Sequence, residues 1–592
     1  MLHKIKHYLV SSDFINVLII FLAVSLLFGV SIFQSTMTWR TDAYFHMSRI
    51  YDISQYLHSG QFPLMVDVHA FANTGQAING MYPNFSLLPF IFVTMGLKPI
   101  AQYQTITYLF ILSGSLLNYF VFQKFHATKL QALATVFATF TFINIFVQSS
   151  LNLHGVWSIY FLLPLAILSI KKLSEPNSWP YVLGLAIAVS FVLNTHLLSV
   201  IFMVGILAIY FIYEFVKSPN KLVLIFKTVI AAVISMLLSL STLISIISLS
   251  KNHLSTVQAF NLADGTLTLE SMIHSLTNPT IFGIATPPIY GVLLLTDILL
   301  ILNVKKFSAP AKVVTGLIFA TEFMISPYFP WKLLNDTPIA MIQFPGRLVP
   351  FILIIATMVL FTSKHLNNLG FLVAIIVGSF MLTMSYQTSN FVAKRDFPNF
   401  KDIKNIDNID NPHDMKEFEP LAKYDESTKI GNDTLSKPEF YRLHSYHEYI
   451  PQTAKKNDPD VDKNMVSVNN HELLVNHQKL ASNSFKVTHK NDQLIYTFIK
   501  PQTGAINLPV WYYQNMRYTI TTDHGSITTS ESYRHTLQVK TKQTKQITVN
   551  IHNPKIMTYA NFLAITGWLI SLLLLIGNWV LSKLPTKKLV LK

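Results

Sequence analysis

The feature that most constrains this chain is a series of apolar runs about twenty residues long. A helix rises ~1.5 Å per residue, so ~20 apolar residues cross a hydrocarbon core ~30 Å thick. The first run, 14–33 (FINVLIIFLAVSLLFGVSIF), follows Lys4 and Lys6. It is too long for the apolar part of a signal peptide and no small-residue cleavage site follows, so it reads as an uncleaved anchor. Further runs lie near 104–122, 128–148, 153–170, 180–194, 197–216, 222–248, 288–303, 312–330, 347–362, 368–387 and 557–581. The expected fold is a polytopic α-helical membrane protein of about twelve transmembrane helices. Charged residues make up 13% of the chain, against ~25% in soluble domains, which excludes a soluble enzyme and a disordered chain. No cysteine is present, so a disulfide framework and a thiolate metal site are excluded as well.

Basic loops favour the cytoplasm. Lys124/Lys129, Lys171/Lys172, Lys217/Lys221, Lys305/Lys306/Lys312, Lys364 and Lys583/Lys587/Lys588 all fall on one side if there are twelve spans. That parity requires 84–100 (NFSLLPFIFVTMGLKPI), with Pro83 and Pro89 at its short apolar stretch, to lie at the outer surface or re-enter rather than cross. Both termini are then cytoplasmic in a multi-pass plasma-membrane protein. The expected organisation is a membrane domain over 1–387 with a first outer loop at 34–103, an extracytoplasmic domain over 388–556, and a last span with a basic tail over 557–592. The polar block 388–556 carries 19 of the 30 acidic and 22 of the 45 basic residues. It opens Asn/Asp-rich (KDIKNIDNIDNPHD), and then LIYTFIK, MRYTITT, TLQVKTK and QITVNIH alternate as strands do, which predicts a β-rich unit after about 465, before the last helix. The block is nearly balanced in charge. The net charge of +15 therefore belongs mostly to membrane topology, and no nucleic-acid partner is expected.

Only eleven acidic residues lie outside the polar block. Asp13, Glu175 and Glu214 map to the cytoplasmic side, and Asp297 and Glu322 fall inside spans. Asp42, Asp52, Asp67, Asp264, Glu270 and Asp336 face outward. A mid-membrane carboxylate costs ~2.5–3.5 kcal/mol on insertion scales; Asp297 reads as hydrogen-bonded to a neighbouring helix, and Glu322 stays open between that and a proton path. Asp42 stands out in TWRTDAYFHMSRIYDISQYL. On a helix, Asp42, His46 and Arg49 share one face at i, i+4 and i+7, whereas Asp52 points about 80° away from Asp42. An acid, an imidazole and a guanidinium would then converge at headgroup depth. The same spacing also describes an interfacial helix with a solvated polar face.

The run TDAYFHMSRI directly after a first span, with GMYPNFSLLPF about thirty residues later, resembles the first outer loop of the GT-C superfamily, polytopic glycosyltransferases that use polyprenyl-phosphate sugars. MIQFPGRLVPF (341–351) resembles the QFPWR signature of bacterial membrane proteins labelled 6-pyruvoyl-tetrahydropterin-synthase-related, close to the YfhO-like group. LNTHLLSV (193–200) and LPVWYYQNMRYTITTDHG (508–525) are similar to that family's His-containing turn and C-terminal β-domain. The order of four motifs carries the resemblance. One departure is Gly346, where the family has Trp, and no zinc-ligand histidine pattern accompanies the pterin label.

The resemblance implies transfer of a sugar from a polyprenyl-phosphate carrier to a cell-envelope glycan or glycopolymer on the outer face of the bilayer. It implies Asp42 as the catalytic residue. Glycosyl transfer passes through an oxocarbenium-like state, and a carboxylate within reach serves as base for the acceptor hydroxyl. The leaving phosphate needs positive charge, and arginine's planar fork suits it, so Arg49 and Arg347 are the candidate phosphate ligands. Arg347 could equally snorkel to lipid headgroups. His46, His154 and His196 map to outer ends, with His46 and His196 as candidate substrate contacts and Asp67 as a possible second acid. No metal and no cofactor beyond the lipid-linked donor are expected. Two rival classes remain: a transporter or flippase of lipid-linked glycans, which would favour interrupted helices in two related halves that the sequence does not display, and a non-catalytic scaffold with an outer binding domain.

Overall fold

The computed structural model describes residues 12–38, 43–149, 155, 157–255, 261–277, 289–363, 368–389, 395–396, 428–442, 445–452, 461–490 and 493–583. Helices dominate, and a β-sheet unit lies near the C-terminus. Among the described residues, six helices are long and apolar enough to cross a membrane: Asp13–Phe33, Pro99–Lys124, Leu197–Lys217, Lys221–Leu238, Pro345–Thr362 and Lys555–Asn578. Shorter apolar helices cover Lys129–Ile143, Trp179–Leu193, Leu240–Ser250 and Leu369–Ser385. The first helix starts where the sequence supplies a cap: Ser12 Oγ accepts the Ile15 N–H at 3.3 Å, and Asp13 sits in the first turn against the helix dipole. Leu222, Phe226, Val229 and Val233 recur at helical spacing along one face, all at least half exposed. An uncovered apolar stripe of that kind suits lipid rather than water.

The apolar run 222–248 is not one helix. It breaks at Ser239 between Lys221–Leu238 and Leu240–Ser250. The neighbours re-satisfy the interrupted backbone, because the Leu238 carbonyl accepts both Asn194 Nδ2 at 3.1 Å and Trp568 Nε1 at 2.9 Å. In 84–100 the helix is only Leu88–Thr94, seven residues. At about 10 Å it is too short to cross a hydrocarbon core. Phe92 and Val93 on it are exposed.

In the sheet, Gln493–Trp511 pairs antiparallel with Thr536–His552, which in turn pairs with Arg517–Thr522. The expected strands TLQVKTK and QITVNIH are thus one long strand, bent where the register shifts between Thr541 and Gln546. Leu494, Tyr496 and Phe498 on one strand and Ile547, Val549 and Ile551 on the other alternate into the interior as a period of two requires, with Leu494 opposite Val549 and Tyr496 opposite Ile547.

The polar block shares its interior with the described residues of 34–103. Strand Thr36–Thr38 pairs antiparallel with Thr428–Gly431. Met37, Tyr44, Phe45 and Ile50 pack in one cluster with Ile430, Phe440 and Tyr441. Tyr56, Leu64, Val66 and Val68 join the sheet residues Leu494, Tyr496, Ile506 and Trp511 in another.

Candidate functional site

Helix Ala43–His58 carries His46, Arg49 and Asp52 on successive turns. Arg49 Nη1 lies 3.4 Å from His46 Nδ1. Arg49 is 1% exposed. Its Nη2 donates to the carbonyl of Pro83 at 2.8 Å and, more weakly, to that of Tyr82 at 3.4 Å. The guanidinium stands 4.3 Å from the Tyr82 ring centre and 5.6 Å from that of Phe45. The Tyr-Pro pair explains the acceptors: proline keeps Tyr82 extended (φ −98°, ψ 108°), which leaves carbonyls for Arg49. Gly80 lets this segment pass, since a Cβ there would meet Leu249 Cδ1 at 2.3 Å and the Met65 carbonyl oxygen at 2.8 Å.

Among the described residues no carboxylate lies within ion-pair distance of Arg49, and its Nε has no hydrogen-bond partner. Burial pushes its pKa down, opposed by Tyr82, Asp67 and Tyr449. Arginine nevertheless remains charged. A buried cation without a counter-charge is costly.

His196 caps the helix Leu197–Lys217. Its Nδ1 accepts the Ser199 N–H at 3.2 Å and lies 2.8 Å from Ser199 Oγ. With Nδ1 committed as acceptor, the neutral ring carries its proton on Nε2. Burial first, then the charges of Arg347 and Arg49, push its pKa down to about 3, so this imidazole is a neutral N–H donor at pH 7. Its ring centre is 6.1 Å from that of Tyr82.

Arg347 sits in the turn Pro345–Leu348 at the head of helix Val349–Thr362. It donates to Gln343 Oε1 and lies 4.5 Å over the Phe344 ring. At Gly346 a Cβ would stand 3.1 Å from Tyr290 Oη and 3.7 Å from the Gly265 carbonyl oxygen, so a larger residue there requires the Tyr290 side chain to give way. In this chain Tyr290 and the 261–265 turn occupy the space beside the turn.

The acids are distributed differently from the basic groups. Asp42 and His154 lie outside the described residues. Asp52 and Asp67 are fully buried. Asn79 ties them together, giving its backbone N–H to Asp67 Oδ2 at 2.9 Å and its amide Nδ2 to Asp52 Oδ2 at 2.6 Å. Asp52 Oδ1 also accepts the His69 N–H at 2.9 Å. Burial, reinforced by the Asp52 charge, pushes the Asp67 carboxyl well above the usual carboxylate range, with Arg49 a lesser opposing influence. Asp67 therefore holds its proton more firmly than an exposed carboxyl does.

The structure thus brings His46 and Arg49 into contact, gathers Arg49, Arg347 and His196 into one electrostatic neighbourhood, and places Asp67 within the field of Arg49. Tyr82, Asn79 and Tyr449 join the site without having been singled out by sequence. Tyr82 was visible only as part of GMYPNF, and nothing local marks the other two. The set offers guanidinium, imidazole and phenol donors for an oxyanion. Comparison with protein-family models, curated proteins and solved structures finds no match.

Proposed function

We propose that this protein is a membrane glycosyltransferase of GT-C-like architecture, moving a sugar from a polyprenyl-phosphate carrier to a cell-envelope acceptor on the outer face. In this reading the chain crosses about twelve times, its termini are cytoplasmic, and 388–556 lies outside. The observation that supports it most is the buried Arg49 guanidinium, which lacks a carboxylate among the described residues and shares its surroundings with Arg347 and the neutral His196. A site built this way suits a phosphate that gains charge as it departs. The acceptor oxygen attacks the anomeric carbon and its proton passes to Asp42. The bond from that carbon to the phosphate oxygen breaks, and the phosphate monoester leaves toward Arg49, Arg347 and the His196 Nε2–H.

The test is transfer from a panel of polyprenyl-phosphate sugars in proteoliposomes, scored as free polyprenyl phosphate released. Arg347→Ala should weaken donor use, and Arg347→Lys should restore it only in part, because lysine keeps the charge and loses the bidentate fork. Full activity from Arg347→Ala would reassign this arginine to lipid anchoring. Absence of transfer with every donor would remove the enzyme reading.

A further inference from the structure

The described segment 445–452 of the polar block straps the same site from outside. The Tyr446 ring centre lies 5.0 Å from that of Phe45 and 5.9 Å from that of Phe71. Gln76 of the first outer loop holds the strap, its Nε2 donating to the carbonyls of Tyr446 and Glu448 and its Oε1 accepting the Tyr446 N–H at 3.2 Å. Ser255 grips it from another side. Its Oγ donates to the His447 carbonyl at 2.6 Å and accepts the Ile450 N–H at 3.1 Å, while its N–H donates to the Ile450 carbonyl at 2.9 Å. The two backbone polar groups of Tyr449 are committed as well: its N–H donates to the Ser255 carbonyl at 3.0 Å, and its carbonyl accepts Tyr513 Oη at 3.0 Å.

Held in this way, Tyr449 adopts a φ of +66°. That region suits glycine or asparagine, and a bulky residue there costs of order 1–3 kcal/mol. A glycine would relieve the strain, yet the position carries a phenol. Its hydroxyl makes no hydrogen bond to any described residue. Tyr82, Glu448, Arg49 and Arg347 all act on it electrostatically; burial first, then Tyr82 and Glu448, push its pKa up against the two arginines, and a protonated phenol is a donor.

We propose that Tyr449 is a phosphate-binding residue of the Arg49–Arg347 site, so that the outer polar block supplies one donor of that site and does not merely cover it. This rests on the reading of the site as a phosphate site and is independent of whether sugar is transferred. The experiment uses the full chain in nanodiscs and a polyprenyl phosphate as probe, with inorganic phosphate as competitor to separate headgroup from tail. A hydrogen bond to a charged group corresponds to about tenfold or more in affinity. Tyr449→Phe keeps the ring and backbone, so affinity should fall about tenfold or more while the thermal midpoint holds. Substituting 3-fluorotyrosine at 449 retains the fold if phenylalanine does not, and its fluorine resonance should shift on adding polyprenyl phosphate in the otherwise native chain but not beside Arg49→Met. Unchanged affinity in Tyr449→Phe, or a fluorine signal indifferent to the probe, overturns the role of Tyr449 while the arginine site stands. Failure of the native chain to bind the probe overturns both.

Discussion

Replacing Arg49 with methionine separates a structural arginine from one held for a ligand. The side chain is 1% exposed, donates to the Pro83 carbonyl at 2.8 Å and stacks 4.3 Å from the Tyr82 ring centre. Losing the charged hydrogen bond costs about 1.5–3 kcal/mol, and losing a desolvated cation–π contact costs about 2 kcal/mol. Against this, the variant no longer buries a cation that lacks a carboxylate partner among the described residues, a penalty of several kcal/mol. Methionine fills much of the volume of the arginine stem, so the net change in stability should stay within about 2 kcal/mol of zero. The ligand side is different. Two charge-assisted bonds to a phosphate are worth about 3 kcal/mol or more, so affinity for a polyprenyl phosphate should fall about a hundredfold. Thermal unfolding in nanodiscs and equilibrium binding on the same preparation read both quantities. A loss of more than 4 kcal/mol of stability with affinity unchanged in the folded fraction would show that Arg49 is a structural staple and refute the reasoning.

Further outcomes are specific. Asp42→Asn should insert and bind donor yet transfer ~10²–10⁴-fold more slowly, the worth of general-base catalysis; near-native turnover there, with Asp67→Asn inactive, would move the base to Asp67. Gly80→Ala drives a Cβ to 2.3 Å from Leu249 Cδ1 and 2.8 Å from the Met65 carbonyl, so it should destabilise by about 1–3 kcal/mol and weaken phosphate binding by displacing Tyr82–Pro83; an unshifted thermal midpoint contradicts this. His489 and His471, near Arg442, are held down to about 3 and about 4 by burial first and the arginine charge second. Depressed from ~6.5 in the unfolded chain, they contribute stability that is present above pH ~6.5 and lost as pH falls toward 4 and 3, about 3 kcal/mol for the two between pH 7.5 and 5.5. The opening free energy of strand Phe485–Lys490, read from hydrogen exchange after dividing out the intrinsic rate at each pH, should therefore fall on acidification, and the His471→Gln/His489→Gln double variant should flatten the slope; an opening free energy that rises has the wrong sign.

What the sequence disclosed followed from periodicity and local spacing. The long apolar runs and the alternation in LIYTFIK and QITVNIH lead directly to helices and strands. His46 and Arg49 meet because three residues make nearly one turn. The break at Ser239 could not be read, since the run is apolar throughout and the groups that satisfy Leu238, Asn194 and Trp568, come from elsewhere in the chain. TLQVKTK and QITVNIH read as two strands because polar residues separate them, although the backbone continues through a register shift. Asp52 and Asp67 meet through Asn79, which neither spacing foretells. Tyr449 reaches the Tyr82 neighbourhood from hundreds of residues away and has only its left-handed backbone to mark it. Contacts of that range leave no periodic trace.

The most direct test of a phosphate site at Arg49, Arg347 and His196 compares two ligands that differ in one group. A polyprenyl phosphate and the neutral polyprenol of the same chain length are titrated into the native chain in nanodiscs, and into an Arg49→Met/Arg347→Ala double variant. The native chain should prefer the phosphate by about a hundredfold or more, as expected for two or more charge-assisted bonds, and the preference should vanish in the double variant. Equal binding of the two lipids by the native chain, or a phosphate preference that survives loss of both arginines, would contradict the account.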